Sequence, residues 1–141
     1  MLQRIQTLWL LLASACTLLT MKFAFYTGIR VQIVAAQVKV SEALTATSNV
    51  WIMILTVAIV VAGLINIFNY KNRKLQLRIT ILLFVLSLVD VLLLFREAQK
   101  FESGTYALSA FLAFAAPVFF FLAAKGIYRD QKLVKSLDRL R

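Results

Sequence analysis

The sequence predicts an all-α integral membrane protein: an antiparallel bundle of four transmembrane helices with a short basic amphipathic helix at the C-terminus. Three observations predict it. Hydrophobic residues make up 62% of the 141 residues, against about 45–50% in soluble domains. They fall into four runs, each close to the roughly 20 residues that a bilayer span requires. The basic residues lie between those runs in a sided pattern, with a formal net charge of +10. With no histidine and a single cysteine, Cys16, the chain lacks the residues for a structural zinc site, an internal disulfide or a Cys/His catalytic pair. No metal, cofactor or enzymatic activity is expected. The four runs leave little chain for a separate soluble domain, so residues 1–141 are read as one membrane domain.

The first span is expected over residues 5–26. Ala13-Ser14-Ala15-Cys16 loosely resembles a lipoprotein cleavage box, but apolar sequence continues past the cysteine through Phe23, Phe25 and Tyr26. A cleaved leader has no need of that continuation, so Cys16 is read as a small hydrophobe packed within a span. The connector 27–48 is the longest. Its alternation around Val31, Ile33, Val38 and Val40 fits two short strands. Ala35, Ala36, Ala43 and Ala46 fit an interfacial helix equally well. Both readings stand.

The second span covers residues 49–69. Gly63 and Asn66 lie one turn apart near its inner end, and such a face packs closely and hydrogen-bonds across helices. The connector YKNRKLQLR carries Lys71, Arg73, Lys74 and Arg78 without an acid. The third span, residues 79–95, contains Ser87 and Asp90 at helical spacing. The short outer loop from Arg96 to Gly104 is expected to be a tight helix-to-helix connection. The fourth span covers residues 105–124, where Pro117 is expected to free a carbonyl and kink the helix. Trp9, Trp51 and Tyr70 sit near span ends, at the level of an aromatic belt.

The inner tail, residues 125–141, places Leu133, Leu137 and Leu140 at three- and four-residue spacing, with basic residues opposite. Three roles fit such a segment: a helix lying on an anionic membrane surface, a dock for a partner, or a topology signal. Arg4, the second connector and the tail share one side if there are four spans, and together they hold eleven of the 16 basic residues. Basic residues mark the cytoplasmic side, so both termini are expected inside. Lys71, Arg73, Lys74, Arg78, Arg129, Lys132, Lys135 and Arg139 are the candidates for binding anionic phospholipid or a partner protein. The tail carries no nucleic-acid fold or stacking surface, so no nucleic-acid partner is expected.

Asp90 is the most informative residue. An acid near the bilayer centre costs roughly 2.5–3.5 kcal/mol on insertion scales, so it must pair, hydrogen-bond, face water or take up a proton. Counting depth from the outer ends of the first and third spans places Lys22 level with it. An intramembrane pair between Asp90 and Lys22 is therefore expected, with Arg96 as the competing partner. Contact with a partner subunit and a path for ions are the other readings of Asp90.

The opening MLQRIQTLWLLLA, the connector YKNRKLQLR and the tail KGIYRDQKLVKSLDRLR resemble a family of small bacterial four-span membrane proteins described as a domain of unknown function. The resemblance covers essentially the whole chain, and the tail is its most specific part. It implies four spans and a bacterial inner (cytoplasmic) membrane. It supplies no reaction, cofactor or catalytic residue.

Three functions follow from these readings. The first is a non-catalytic accessory or assembly subunit that docks a larger membrane complex through its basic cytoplasmic face. The second is a small transporter or channel, working as a homo-oligomer and using Asp90. The third is a lipid enzyme, disfavoured because the inner face offers mainly Lys and Arg.

Overall fold

The computed structural model describes the backbone of residues 2–34 and 36–138, with their side chains except at 2–4, 30–34, 36–40, 71 and 135–138. Four helices, α1 (Leu2–Leu19), α2 (Val50–Phe68), α3 (Arg73–Ala98) and α4 (Ala110–Asp138), alternate with strands β1 (Tyr26–Val34), β2 (Ala36–Leu44) and β3 (Ser103–Tyr106). A short 3-10 turn, Asn69–Lys71, joins α2 to α3. Helix α1 packs on α2 and α4, and α3 packs on the same two helices, so each helix has two helical neighbours.

Three of the helices, Val50–Phe68, Arg73–Ala98 and Ala110–Val134, are long and apolar enough to cross a membrane, and Ile5–Leu19 is a shorter apolar helix. Their packing has the polarity that lipid requires. Large apolar side chains such as Leu8, Ile54, Val61, Leu92 and Phe121 face outward, while Ser14, Thr17, Thr56, Asn66, Thr80 and Ser87 are buried. Small and hydroxyl-bearing residues suit helix contacts in hydrocarbon, where association depends on close packing and hydrogen bonds rather than on exclusion of water. Gly63 shows the effect: a Cβ there would stand 3.5 Å from Ser14 Cβ and 3.7 Å from Phe120 Cζ.

The all-α expectation requires a correction, because the two connectors on one side form a small antiparallel sheet of order β2-β1-β3. Of the two readings of 27–48, the strand pair is the one observed, with Tyr26 opposite Leu44 and Val34 opposite Ala36. Alternating β-branched residues favour a pleated strand over a helix. β3 was not foreseen. It draws Ser103–Tyr106 out of the expected tight connection and fourth span and pairs them with Tyr26–Ile29. The close approach of β1 and β3 depends on the facing pair Gly28 and Gly104. A Cβ at Gly28 would overlap the Ser103 carbonyl, and one at Gly104 the Thr27 carbonyl, while the Tyr26 ring lies against both glycines.

An aromatic layer joins this sheet to the helix ends. Tyr26 and Tyr106, paired across the strands, have ring centroids 5.0 Å apart; Phe25 meets Phe95 at 5.3 Å, and Tyr26 meets Phe101 at 5.4 Å. Such edge-on pairs each contribute about 0.5–1.5 kcal/mol beyond the area they bury. Below it, Leu44, Ile52, Leu94 and Ala113 share a buried cluster. A second cluster deeper in the helices joins Leu10, Ile59, Leu83 and Phe120.

Two further boundaries differ from expectation. α1 stops at Leu19, and Thr20–Lys22 form a turn, so the first helix is shorter than the apolar run that contains it. As far as residue 138, the last one described, the tail is not a separate helix. α4 continues through Pro117 and Gly126 without interruption to Asp138.

Candidate functional site

Two regions concentrate polar chemistry: the buried α2–α3 contact and the basic end of the molecule opposite the sheet. At the first, Asp90 is 5% exposed and Thr56 is fully buried. Thr56 Oγ1 lies 3.1 Å from Asp90 Oδ1 and 2.7 Å from the Ile52 carbonyl oxygen of its own helix. A hydroxyl has one hydrogen to donate but accepts as well, so this group links the carboxyl to the backbone of α2. One turn earlier on α3, Ser87 donates to the Phe84 carbonyl at 2.7 Å rather than to Asp90.

The expected charge pair is not formed. Among the described residues Asp90 takes part in no ion pair. The physical reason lies in the chain path: Lys22 falls in the exposed turn beyond the end of α1, and Arg96 is exposed on the last turn of α3. The expected level of Lys22 requires a helix that reaches Tyr26, and Tyr26 instead opens β1.

Toward the opposite end, the same two helices share a second polar contact. Asn66 Nδ2 donates to Thr80 Oγ1 at 2.8 Å and to the Gln76 carbonyl at 3.3 Å. Gln76 Nε2 returns a bond to the Asn66 carbonyl at 3.3 Å. Asn66 was singled out in the sequence; its partners Gln76 and Thr80, and the partner of Asp90, Thr56, were not. A signal was present. Gln76, Thr80, Leu83, Ser87, Asp90 and Leu94 recur at alternating spacings of four and three, which defines one helix face, and all six are buried.

The basic end is built from the first turn of α3 and the last turns of α4. Arg73 Nη1 pairs with Asp130 Oδ2 at 2.9 Å, and Gln131 Nε2 donates to the Arg73 carbonyl at 2.6 Å. These bonds hold the extended part of α4 against α3. On the other side of α4, Gln6 Nε2 donates to the Gly126 carbonyl at 3.0 Å, which ties it to α1. Lys74, Arg78, Arg129 and Lys132 remain exposed on this end. The side chains of Lys71 and Lys135, and the whole of Arg139, lie outside the described residues.

The far ends of α2 and α3 carry the complementary arrangement. Asn49 caps α2 by accepting from the Trp51 N–H at 3.0 Å, and its Nδ2 donates to Glu97 Oε1 at 2.9 Å. Lys100 Nζ pairs with the same carboxylate at 2.6 Å. Among the described residues no three His, Cys, Asp or Glu side chains come together in a way that could hold a metal ion.

A mostly helical chain with three apolar helices of spanning length, apolar side chains outward and polar ones inward, is a membrane protein. It belongs to the family described as Domain of unknown function (DUF4293), whose model matches residues 2–140. No curated protein and no solved structure matches the chain.

Proposed function

We propose that this chain is a non-catalytic accessory or assembly subunit of a larger complex in the bacterial inner membrane. In this reading all four helices span, as an antiparallel bundle with both termini cytoplasmic, and the partner docks on the basic cytoplasmic face. α1, 18 residues long, measures about 27 Å at 1.5 Å per residue, close to the ~30 Å hydrocarbon thickness. Basic residues mark the cytoplasmic side, which assigns the sheet to the outside.

One observation carries the docking reading. α4 has 29 residues, or about 44 Å, and so overhangs the ~30 Å hydrocarbon core by about two and a half turns. The Arg73–Asp130 pair and the Gln131 bond attach that overhang to α3. A basic surface held in one geometry can recognise a shaped acidic surface, because less side-chain and backbone entropy is lost on binding.

The test is affinity purification of the tagged protein in mild detergent, with mass spectrometry of what remains bound. A near-stoichiometric membrane protein is expected with the wild type. It is expected to be lost or strongly reduced in Lys74→Glu/Arg78→Glu/Lys132→Glu, which reverses exposed charges without touching the Arg73–Asp130 pair. Equal recovery of the partner by that variant, or a homo-oligomer with lipid alone, would refute the proposal.

A further inference from the structure

A groove of about 260 Å³ opens between α1 and α4 at the basic end of the molecule. That volume is far above the ~10–15 Å³ that a single water requires. Its wall changes character along α4. On one side stand Ile5 and Trp9 of α1 and Leu122 of α4; Lys125 and Arg129 stand about one and two turns further along α4. Trp9 is fixed by stacking on Phe119, with centroids 5.7 Å apart. Lys125 and Arg129 lie four residues apart and so share a helix face. Both are exposed, and neither takes part in an ion pair among the described residues. The acid on this wall, Asp130, is already neutralised by Arg73.

We propose that this groove holds one anionic glycerophospholipid, with its phosphate between Lys125 and Arg129 and an acyl chain along Ile5, Trp9 and Leu122. The argument is charge complementarity joined to position. The groove lies where the apolar run of α4 gives way to its basic segment, the level at which a lipid phosphate meets its acyl chains. Two cations on one face concentrate an anionic headgroup, and the adjoining apolar wall distinguishes a lipid from a soluble anion. The site does not depend on a protein partner, and Lys74, Arg78 and Lys132 do not line it.

Trp9 provides the probe. In Trp51→Phe it is the only tryptophan left, and brominated acyl chains quench tryptophan on contact. The purified protein would be placed in phosphatidylcholine vesicles carrying a minor fraction of brominated lipid, either phosphatidylglycerol or phosphatidylcholine. The expected result is preferential quenching by the anionic lipid, equivalent to roughly ten- to thirtyfold local enrichment for two cations near a headgroup. Lys125→Ala/Arg129→Ala is expected to abolish the preference, and Lys74→Ala/Arg78→Ala to retain it. Inorganic phosphate should not displace the lipid beyond the effect of chloride at matched ionic strength. Equal quenching by the two lipids, a preference that survives loss of Lys125 and Arg129, or displacement by phosphate would each overturn the proposal. Because no partner protein is present, failure here leaves the docking proposal untouched, and the reverse also holds.

Discussion

At the scale of the residue, the informative group is the carboxyl of Asp90 and its partner is a hydroxyl. Thr56 and Asp90 join α2 to α3 where both are buried. Removing only one partner leaves a buried polar group unsatisfied, whereas replacing both with apolar groups of similar shape is close to neutral. Interhelical hydrogen bonds in membranes average about 0.6 kcal/mol and reach about 1.7. Thr56→Val is therefore expected to lower stability by about 1 kcal/mol, measured by denaturant titration in mixed micelles. Adding Asp90→Leu should recover most of that loss. Lys22→Met, in the exposed turn, should stay within about 0.5 kcal/mol of wild type. A large cost for Lys22→Met, reduced by Asp90→Leu, would restore the charge pair expected from the sequence.

At the scale of the element, helices were more legible than strands. Each helix carries its own signal in a continuous apolar run, so the second, third and fourth spans are visible without any knowledge of their neighbours. The β1–β2 pair was half legible: alternation suggested it, but alanines at 35, 36, 43 and 46 allowed a helix. β3 was not legible, because Ser103-Gly104-Thr105-Tyr106 is too short for a hydrophobic period and its partner is remote in sequence. For the same reason the end of α1 was missed. The residues from Phe23 to Tyr26 are as apolar as those before them, and only the pairing of Tyr26 with Leu44 and Tyr106 takes them out of the helix. The glycine pair holds β1 and β3 together, so Gly104→Ala is expected to cost about 1–3 kcal/mol, the usual range for forcing atoms into a packed site. Gly126→Ala should cost less, because its added Cβ would meet only the flexible Gln6 side chain at 3.1 Å. The same denaturation assay ranks the two variants, and equal costs would show that the strand contact has slack.

At the scale of the molecule, the chain has two unlike ends. One carries a sheet set on an aromatic layer; the other carries exposed cations on α3 and α4, tied together by Arg73, Asp130 and Gln131. Charge pattern made the basic end visible in the sequence. The bonds that fix it were not visible, since they join residues on two different helices. The most direct measurement is site-specific photo-crosslinking in native membranes from positions 74 and 132 on the basic end, with Val57, an exposed residue of the apolar α2, as the reference. The expected result is one discrete heavier adduct shared by positions 74 and 132 and absent from position 57. Adducts no more frequent at the basic end than at position 57, or adducts only with further copies of this chain, would contradict a docking role for that face.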